Sequence, residues 1–479
     1  MASQYSLGLV IPIYNVEAYL QECLDSVVNQ TIPFDEVILV NDGSLDRSKE
    51  ICESYCKKYF HMKLINQKNQ GLGAARNHGM EYLKSDYLVF LDSDDRFTLQ
   101  AVETIKNRLK GQDVLFYSSE IQEDIEGVIH PNIYIRKQEL CNCVMNGLDY
   151  FYQSYPENYV VSSCMGAYER AFLNNHNIRF PEGFYYEDNS FHIEIVSNAK
   201  KVEVISNPLY IRRYRPNSIM TSVLHKKKCL DKMEVQIKIW NYIQKNISVK
   251  WRNHVFYSYL LREISETIFL VEQCEKSPDL QKNEIRFLEM FSKNWGEEYK
   301  ESRLFLGDYF ILLKIYGKLA EINREKYELK YKKIKNLFIE TLKGKLECLC
   351  LNEEDMVIGI YGMGKHTTVM LDLYEKYIGK VKAKFFYIIS EKEPQNDNLE
   401  NQDHKIVSYN HIPKGVDQII ISSWTYGNEM VSNLKTMEIN PQKICLLYEP
   451  KEDFDLVRAY EFLYEKMEES SEKESTLKF

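Results

Sequence analysis

The sequence predicts an α/β protein in which a mixed, mostly parallel sheet is followed by a helical middle region and a second, smaller α/β domain. Three observations predict this. Strand-like and helix-like segments alternate through the first hundred residues, a Lys- and Glu-rich helical periodicity runs from about 225 to 345, and a second strand–turn–helix pattern opens at 355–364. A chain of 479 residues exceeds one typical hydrophobic core, so two to four domains are expected.

Hydrophobic periodicity defines the elements at the start of the chain. Four short apolar runs rich in strand formers predict strands over residues 7–13, 36–40, 62–66 and 87–91. Three amphipathic segments between them predict helices over residues 17–29, 46–59 and 73–84. Asp46 is placed to cap the second helix. This alternating order implies a mostly parallel sheet with right-handed crossovers.

The remainder of the chain is more varied. Short strands are predicted at "DVLFYSS", "VIHPNIYI", "KVEVI" and "PLYIRRY" within residues 113–215. Long amphipathic helices then occupy the middle region, and the second α/β unit runs from "DMVIGIYGMG" to "KICLLYE". The predicted divisions are 1–222, 223–349, 350–450 and a charged tail, helical or disordered, over 451–479.

Composition excludes several classes of protein. A formal net charge of -9 argues against a general nucleic-acid binder. Eleven scattered cysteines without a CxxC pair argue against a disulfide framework or a structural zinc site and favour a reducing cytoplasm. The start of the chain lacks the pattern of a signal peptide. No apolar run approaches the about 20 residues that span a bilayer, so we expect a cytoplasmic protein that at most lies on the inner face of the plasma membrane.

Polar residues collect where the predicted parallel strands end, which is where open α/β sheets bind ligands. Each of the four strands is followed by a different feature: an aromatic ring, an isolated acid, a glycine-rich loop with an arginine, and an acidic cluster. They are Pro12, Tyr14 and Asn15; Asp42; "NQGLGAARNHG" with Arg76; and Asp92 to Asp95. This set suits a nucleotide, because a ring and an acid can hold the base and carboxylates can hold ribose hydroxyls and a phosphate-bound metal.

A diphosphate at this edge would need a source of positive charge. Neither GxGxxG after the first strand nor GxxxxGK[ST] anywhere supplies a phosphate loop. A divalent metal held by Asp92 and Asp94, with the oxygen ligands that magnesium and manganese prefer, would supply it. The alternative is a solvated acidic turn, which is the commoner explanation of an isolated DxD.

Four segments together resemble glycosyltransferase family 2, whose members have the GT-A fold. They are "VIPIYNVEAYLQECLDSVVNQT", "VILVNDGSLDRS", "NQGLGAARNHGM" and "YLVFLDSDD", and the resemblance covers roughly residues 5–220. It implies an inverting transferase with a nucleotide-binding half (1–112), an acceptor half (113–222), a UDP-linked sugar donor and a divalent metal, manganese or magnesium. The implied donor-binding residues are Pro12, Tyr14, Asn15, Glu17, Asp42, Gly71, Arg76, Asp92 and Ser93. Asp42 would accept a hydrogen bond from the base, and Asp94 and Asp92 would hold the metal, with Asp95 as a further candidate.

The family also implies a catalytic base in a Glu-Asp pair further along the chain. "RFPEGFYYEDNSFHIEIV" supplies Glu187 and Asp188, and Asp188 is the expected base, with Glu187 as an orienting residue or acceptor contact. The alternative explanation is that the two acids stabilise a helix N-terminus through its dipole. Arg213 and Arg215 could stabilise the departing diphosphate, or they could be ordinary surface arginines.

The rest of the chain leaves alternatives open. The apolar helix at 304–320 and the Lys-rich segment after it could dock on an anionic membrane that carries a lipid-linked acceptor. The alternatives are a core helix followed by an exposed connecting helix, and an oligomer interface. Gly362 and Gly364 resemble a Rossmann-type turn with Thr367 at the third glycine position, so the second domain either binds a nucleotide or serves packing and partner contacts.

The expected function is transfer of a sugar to a glycan or lipid-linked glycan acceptor in the synthesis of a surface or capsular polysaccharide. One rival is a nucleotidyltransferase that makes the donor, but it would need a glycine-rich, lysine-bearing N-terminal signature and would leave Asp188 without a role. Another is an inactive sugar-nucleotide-binding module of an assembly, against which the intact Asp92, Asp94 and Asp188 argue.

Overall fold

The computed structural model divides the chain into two compact units, Met1–Phe291 and Ser292–Phe479. The boundary falls inside the predicted helical region. The structure describes residues 5–125, 132–155, 159–216, 218, 224–252, 256–294, 306–361, 365–389, 406–408, 411–421, 427–437 and 439–446.

Nine described strands of the first unit form one sheet. In chain order, β1 to β9 are Leu7–Ile13, Glu36–Asn41, Met62–Asn66, Tyr87–Phe90, Arg96–Phe97, Val114–Glu123, Val144–Met145, Gly166–Glu169 and Val202–Tyr214. The sheet order is β3-β2-β1-β4-β8-β6-β9-β5, with β7 paired to β9. The first four strands are parallel to one another, whereas β8 runs antiparallel to both β4 and β6. The predicted mixed, mostly parallel sheet is therefore confirmed.

Helices cover the sheet and continue beyond it. In chain order, α1 to α11 are Glu17–Val28, Ser48–Lys58, Leu72–Tyr82, Ala101–Arg108, Gly147–Ser154, Arg170–Asn175, Glu187–Asn198, Lys226–Asn246, Val249–Trp251, Tyr257–Gln273 and Pro278–Asn294. All seven residues of β1 are buried, which is the pattern of a strand covered on both faces. Helix α3 approaches β1 closely because Gly79 has no side chain: a Cβ added there would lie 2.3 Å from Cγ1 of Val10.

Three local predictions differ from the structure. Helix α2 begins at Ser48, and Asp46 lies before its N-cap, where its carboxylate accepts from the backbone N–H groups of Ser48 and Glu17. The predicted strands "KVEVI" and "PLYIRRY" are one continuous strand, β9. The described part of "VIHPNIYI", residues 132–135, is not a strand. It is joined to Ser119 of β6 by two hydrogen bonds: Asn132 Nδ2 donates to the carbonyl oxygen of Ser119, and the Tyr134 carbonyl oxygen accepts from the backbone N–H of Ser119 at 3.1 Å.

The second unit has its own parallel sheet. Its described elements are α12 Leu306–Ile322, α13 Arg324–Glu347, β10 Val357–Tyr361, α14 Lys365–Tyr377, β11 Lys384–Ile389, β12 Ile406–Ser408, β13 Gln418–Ile421, α15 Gly427–Thr436 and β14 Ile444–Leu446. The strand order β12-β11-β10-β13-β14 with all pairs parallel is the doubly wound arrangement of Rossmann-like domains, as predicted.

Several predicted features lie outside the described residues. They are the turn glycines Gly362 and Gly364 and the charged tail over 451–479. Among the helices that the structure describes, none is both long enough and apolar enough to cross a membrane.

Candidate active site

A cavity of about 750 Å³ lies at the carboxyl ends of the first parallel strands. Its walls come from the ends of β1, β2, β4 and β9, the start of α3, the segment before α7, and α8. Twelve of the predicted site residues line it: Pro12, Tyr14, Asn15, Asp42, Gly71, Asp92, Ser93, Asp94, Asp95, Glu187, Arg213 and Arg215. Three others, Glu17, Arg76 and Asp188, are not among the lining residues. The strand-end placement thus brings most of the predicted residues together, as expected of a parallel sheet.

The loop after β1 offers an aromatic ring to the cavity. Tyr14 is 48% exposed and is therefore available to stack on a flat ligand. Asn15 adopts φ 48°, a left-handed conformation that asparagine tolerates better than most residues. Its side-chain oxygen accepts from the backbone N–H of Leu45 at 2.7 Å, which joins the ends of β1 and β2. Glu17 accepts from the backbone N–H of Arg47 at 2.8 Å and so supports the same junction from outside the cavity.

Asp42 is buried at the end of β2 and holds the glycine-rich loop. Its Oδ1 accepts from Gln67 Nε2 and from the backbone N–H of Gln70, both at 2.8 Å, and its Oδ2 accepts from the backbone N–H of Gly71 at 2.9 Å. Gly71 has φ 91°, which favours glycine. The acid therefore shapes the loop that leads into α3, in addition to facing the cavity.

The acidic cluster after β4 has a separate partner for each carboxylate. Asp92 Oδ1 accepts from Arg76 Nη2 at 2.8 Å, and Asp94 Oδ2 accepts from Arg215 Nε at 2.6 Å. Asp95 is buried and accepts from the Tyr210 hydroxyl and from the backbone N–H of Arg213. Burial, reinforced by the charges of Asp94 and Asp92, raises the pKa of Asp95 to about 8. Two arginines thus compensate the charges of Asp92 and Asp94, whereas the raised pKa of Asp95 shows that their repulsion still acts on it.

Arg76 links the acidic cluster to the Glu-Asp pair. It lies on α3, its side chain is 1% exposed, and its Nη1 donates to Glu187 Oε1 at 2.7 Å and to Asp188 Oδ1 at 2.9 Å, while Nη2 reaches Asp92. The guanidinium also lies over the Phe180 ring, 5.2 Å from its centroid. A planar group with five donors can satisfy three carboxylates at once. Arg76 is therefore buried beside the cavity, where it holds three carboxylates together.

Glu187 and Asp188 are the first two residues of α7, so the predicted helix start is also present. Tyr186 precedes them in the left-handed conformation, with φ 65°. The Glu187 side chain is 8% exposed and that of Asp188 is 25% exposed. Burial, followed by the charge of Asp188, raises the pKa of Glu187 to about 7. The start of α7 thus carries a nearly buried acid on the cavity wall, Glu187, and a more exposed acid beside it, Asp188.

The arginines at the end of β9 are not ordinary surface residues. Arg213 is buried and pairs with Glu22 and with Asp124, at 3.2 Å for the latter, while Arg215 pairs with Asp94. Sequence reasoning missed Arg212, which also lines the cavity and lies over the Tyr134 ring at 4.7 Å. The signal was the "IRRYR" run itself, since three arginines in five residues put one on each face of a strand.

Lys227 is a second residue that the sequence did not identify. It belongs to "HKKK", which reads as a solvated run, yet it lines the cavity and its Nζ donates to the carbonyl oxygen of Gly183 at 3.0 Å. Phe184 and Tyr185 line the same part of the cavity. These residues lie on loops and a helix far from the four motifs, so no short-range pattern marks them.

Asp92 and Asp94 suit a divalent metal ion that is bound partly by the protein and partly by the phosphates of a substrate. No group of three or more His, Cys, Asp or Glu side chains in the described part of the chain is arranged to hold a metal ion by itself. Magnesium in phosphate-transfer sites is commonly bound by one or two carboxylates together with substrate phosphates and waters. Asp92 and Asp94 both line the cavity, and each pairs one carboxylate oxygen with an arginine.

Comparison with known proteins identifies similar sequences and a similar fold. Residues 9–176 match the family model described as Glycosyl transferase family 2. The uncharacterized glycosyltransferase EpsJ of Bacillus subtilis is 32% identical over 221 residues, which cover 44% of this chain and 62% of that protein. The minor teichoic acid biosynthesis protein GgaB of the same species is 32% identical over 219 residues, covering 44% of this chain and 23% of that protein. The matches thus span less than two thirds of these relatives.

A solved structure supports the assignment of the fold. S. aureus TarS 1–349, crystallised in complex with UDP-GlcNAc, aligns with a TM-score of 0.53 over 70% of this chain and 92% of that chain. The two are 20% identical, so the likeness is one of fold. It agrees with the GT-A architecture that the four sequence segments imply.

Proposed function

Because residues 9–176 match the model of glycosyltransferase family 2, we propose that the chain transfers a sugar from a nucleotide-diphosphate donor to an acceptor hydroxyl with inversion at the anomeric carbon. One observation carries the proposal. A buried arginine, Arg76, joins the acids after β4 to the Glu-Asp pair at the start of α7, and members of both groups line one cavity with Asp42. Acids for binding and acids for proton transfer are thereby held at fixed positions in one site.

The donor would lie across the ends of β1, β2 and β4. Tyr14 offers a ring for stacking on a base, and Asp42 offers acceptor oxygens beside it. Arg213 and Arg215 place positive charge near the acidic cluster, where a leaving diphosphate gains negative charge. TarS, which shares the fold, was crystallised with UDP-GlcNAc, and this supports a UDP-linked donor here.

Asp94 and Asp92 would hold a manganese or magnesium ion, with Asp95 held back by its hydrogen bonds to Tyr210 and Arg213. The ion would neutralise diphosphate charge and so assist departure of the leaving group. Arg215, which pairs with Asp94 in the structure, is positioned to exchange that carboxylate for a phosphate oxygen.

Asp188 is the proposed base. Its side chain is more exposed than that of Glu187, so an acceptor hydroxyl could approach it, and the hydrogen bond from Arg76 Nη1 to Oδ1 at 2.9 Å fixes its orientation. Glu187 is the competing residue, because it lines the cavity and its raised pKa lies near neutral pH. Asp188→Asn should bind donor normally and lose transfer, whereas Glu187→Gln should retain measurable transfer. Transfer that survives in Asp188→Asn and is lost in Glu187→Gln would reverse the two roles.

The acceptor would be a glycan or lipid-linked glycan used in surface polysaccharide synthesis. The similarity to GgaB, a minor teichoic acid biosynthesis protein, supports this class of acceptor. Such an acceptor would be met in the cytoplasm, at the inner face of the plasma membrane, through peripheral contact of this chain. Self-association into a homo-oligomer is compatible with this arrangement, and sedimentation of the purified protein tests it.

The test is a panel of nucleotide sugars incubated with the protein and manganese, with nucleoside diphosphate release measured in the absence of acceptor. We expect slow release from one donor or a few, loss of release on chelation of the metal, and a large decrease in Asp94→Ala. Release that is unchanged in Asp94→Ala, or absent for every donor, would refute the proposal. Binding without release would instead favour an inactive sugar-nucleotide-binding module, and formation of a nucleotide sugar from a nucleoside triphosphate would favour a nucleotidyltransferase.

A further inference from the structure

The segment 183–189 joins the cavity to the helices that follow the sheet. Gly183, Phe184 and Tyr185 line the cavity, and the acid pair follows directly after Tyr186. Tyr186 has φ 65° and ψ 26°. A bulky side chain persists in the left-handed region only where its surroundings hold it there, so contacts around Tyr186 must stabilise this conformation.

Helix α8 contacts the part of this segment that precedes the acid pair. Asp231 Oδ2 accepts from the backbone N–H of Tyr185 at 3.0 Å, and Lys227 Nζ donates to the carbonyl oxygen of Gly183 at 3.0 Å. The ammonium group of Lys232 lies 5.0 Å from the centroid of the Tyr186 ring, within reach of a cation–π interaction. Three positions of the segment thus have a partner on the first two turns of α8.

Helix α10 contacts the residue that follows the acid pair, Asn189, through Glu263, which forms a buried ion pair with Lys232. Lys232 Nζ lies 2.6 Å from Glu263 Oε2, with side-chain exposures of 6% and 12%. The same oxygen accepts from Gln236 Nε2 at 2.7 Å and from Asn189 Nδ2 at 3.2 Å. Lys232 therefore contacts the residue before the acid pair, and its partner Glu263 contacts the residue after it.

We propose that Lys232 and Glu263 are positioning residues for sugar transfer, acting through Tyr186 and Asn189 on the Glu187–Asp188 pair; this inference rests on the proposed function. A buried ion pair often stabilises no more than an apolar pair of similar size, but it fixes the direction of its hydrogen bonds. Displacement of a catalytic group by about 1 Å can reduce a rate about 100-fold. The helices α8 and α10 lie outside the residues that match the family model, so this chain completes its active site with a region beyond that match.

The test separates positioning from stability. In Lys232→Met/Glu263→Met both charges are replaced together by apolar side chains, which should preserve folding. We expect unchanged nucleoside diphosphate affinity and a binding stoichiometry near one, but kcat per binding site at least about tenfold lower, with KM for the donor unchanged. A purely structural role would lower the stoichiometry instead and leave kcat per site intact. Lys226→Met on the same helix, which breaks the exposed pair with Asp279, is the matched control and should leave kcat unchanged.

Wild-type kcat in the folded double variant would overturn the inference. If the double variant does not fold, Asn189→Ala replaces it, since that change removes the side-chain contact to Glu263; a kcat equal to that of the wild type would then overturn the inference. The wild-type assay distinguishes this failure from failure of the proposed function: a wild-type protein that turns over no donor refutes the function, whereas an active wild type with fully active variants refutes only the positioning role.

Discussion

Arg76 concentrates the residue-scale chemistry of the site, because one buried guanidinium serves three carboxylates. The carboxylates come from two parts of the chain, Asp92 after β4 and Glu187 with Asp188 at the start of α7. Without this positive charge the acids would face one another in a poorly solvated region. The residue therefore supports both the fold and the proposed proton transfer.

Arg76→Met should destabilise the first unit by about 3–5 kcal/mol at neutral pH, because it leaves partly buried carboxylates without their counter-charge. Donor turnover should be lost as well. Denaturant unfolding followed by tryptophan fluorescence measures the change. Arg47→Met is the control: Arg47 is 82% exposed in its pair with Glu17, so its removal should change the free energy of unfolding by less than about 1 kcal/mol. Equal effects of the two changes would contradict the role of Arg76.

Glu187 should make stability depend on pH in a defined window. Burial and the charge of Asp188 raise its pKa from 4.5 to about 7, so the native state binds more protons than the unfolded chain between these values. Its contribution to stability is therefore fully present below about pH 4.5 and is lost as pH rises through 7. Glu187→Gln should flatten the dependence of Tm on pH across this window. The same slope in both proteins, measured by calorimetry, would contradict the raised pKa.

Whereas Glu187 and Asp188 were predicted from the family resemblance, most of the site residues that the sequence predicted follow strands of the parallel sheet. That position alone places Asp42 and Asp92 to Asp95 at one edge. Their partners were not predictable, because Arg76 and Glu187 are 111 residues apart and no local pattern relates them. Lys227 was missed for the same reason, whereas the run of arginines in "IRRYR" could have pointed to Arg212.

At the scale of elements, α3 matters because it carries Arg76 and begins directly after the glycine-rich loop. Its packing distance from the sheet is set by Gly79, whose missing side chain lets the helix lie against Val10 and Val40. A shift of α3 would move Arg76 away from the carboxylates that it joins.

Gly79→Ala should therefore destabilise the first unit and reduce donor turnover, because the new Cβ would lie 2.3 Å from Val10 Cγ1. Gly344→Ala is the opposite case. Gly344 lies within α13 with no atom within 4 Å of an added Cβ, so alanine should stabilise that helix by up to about 1 kcal/mol. Thermal unfolding of both variants checks the two signs. A stabilised Gly79→Ala would contradict the close packing of α3 on β1.

Element boundaries show what periodicity can and cannot predict. The strand Leu7–Ile13 was predicted at both ends, because a continuous apolar run has few alternative interpretations. The sequence did not predict that two strands join into β9, because Ser206 to Pro208 resemble a break between strands. The pairing of β9 with β6 changes register at this point, which shows that a bulge carries the strand through the irregular sequence.

At the scale of the whole molecule, all described residues that line the cavity belong to the first compact unit. The second unit has its own parallel sheet, and the alternation of strands and helices in the sequence predicted a sheet of this type. What that unit binds was not predictable, because a Rossmann-like fold serves many functions.

A chain ending at residue 294 should therefore keep the donor chemistry. We expect nucleoside diphosphate release within about threefold of the full chain, since none of the cavity residues that the structure describes is removed. Near-UV circular dichroism confirms folding before the assay. A folded truncated chain that binds donor but has lost release would show that the second unit contributes to the chemistry.

A crystal structure of the full chain with manganese and a nucleoside diphosphate decides whether this cavity is the donor site. We predict nucleotide density in the cavity, with the base beside Tyr14 and Asp42, and anomalous manganese signal between the diphosphate and Asp92 or Asp94. Nucleotide bound at the strand ends of the second sheet, with the first cavity empty, would contradict the assignment.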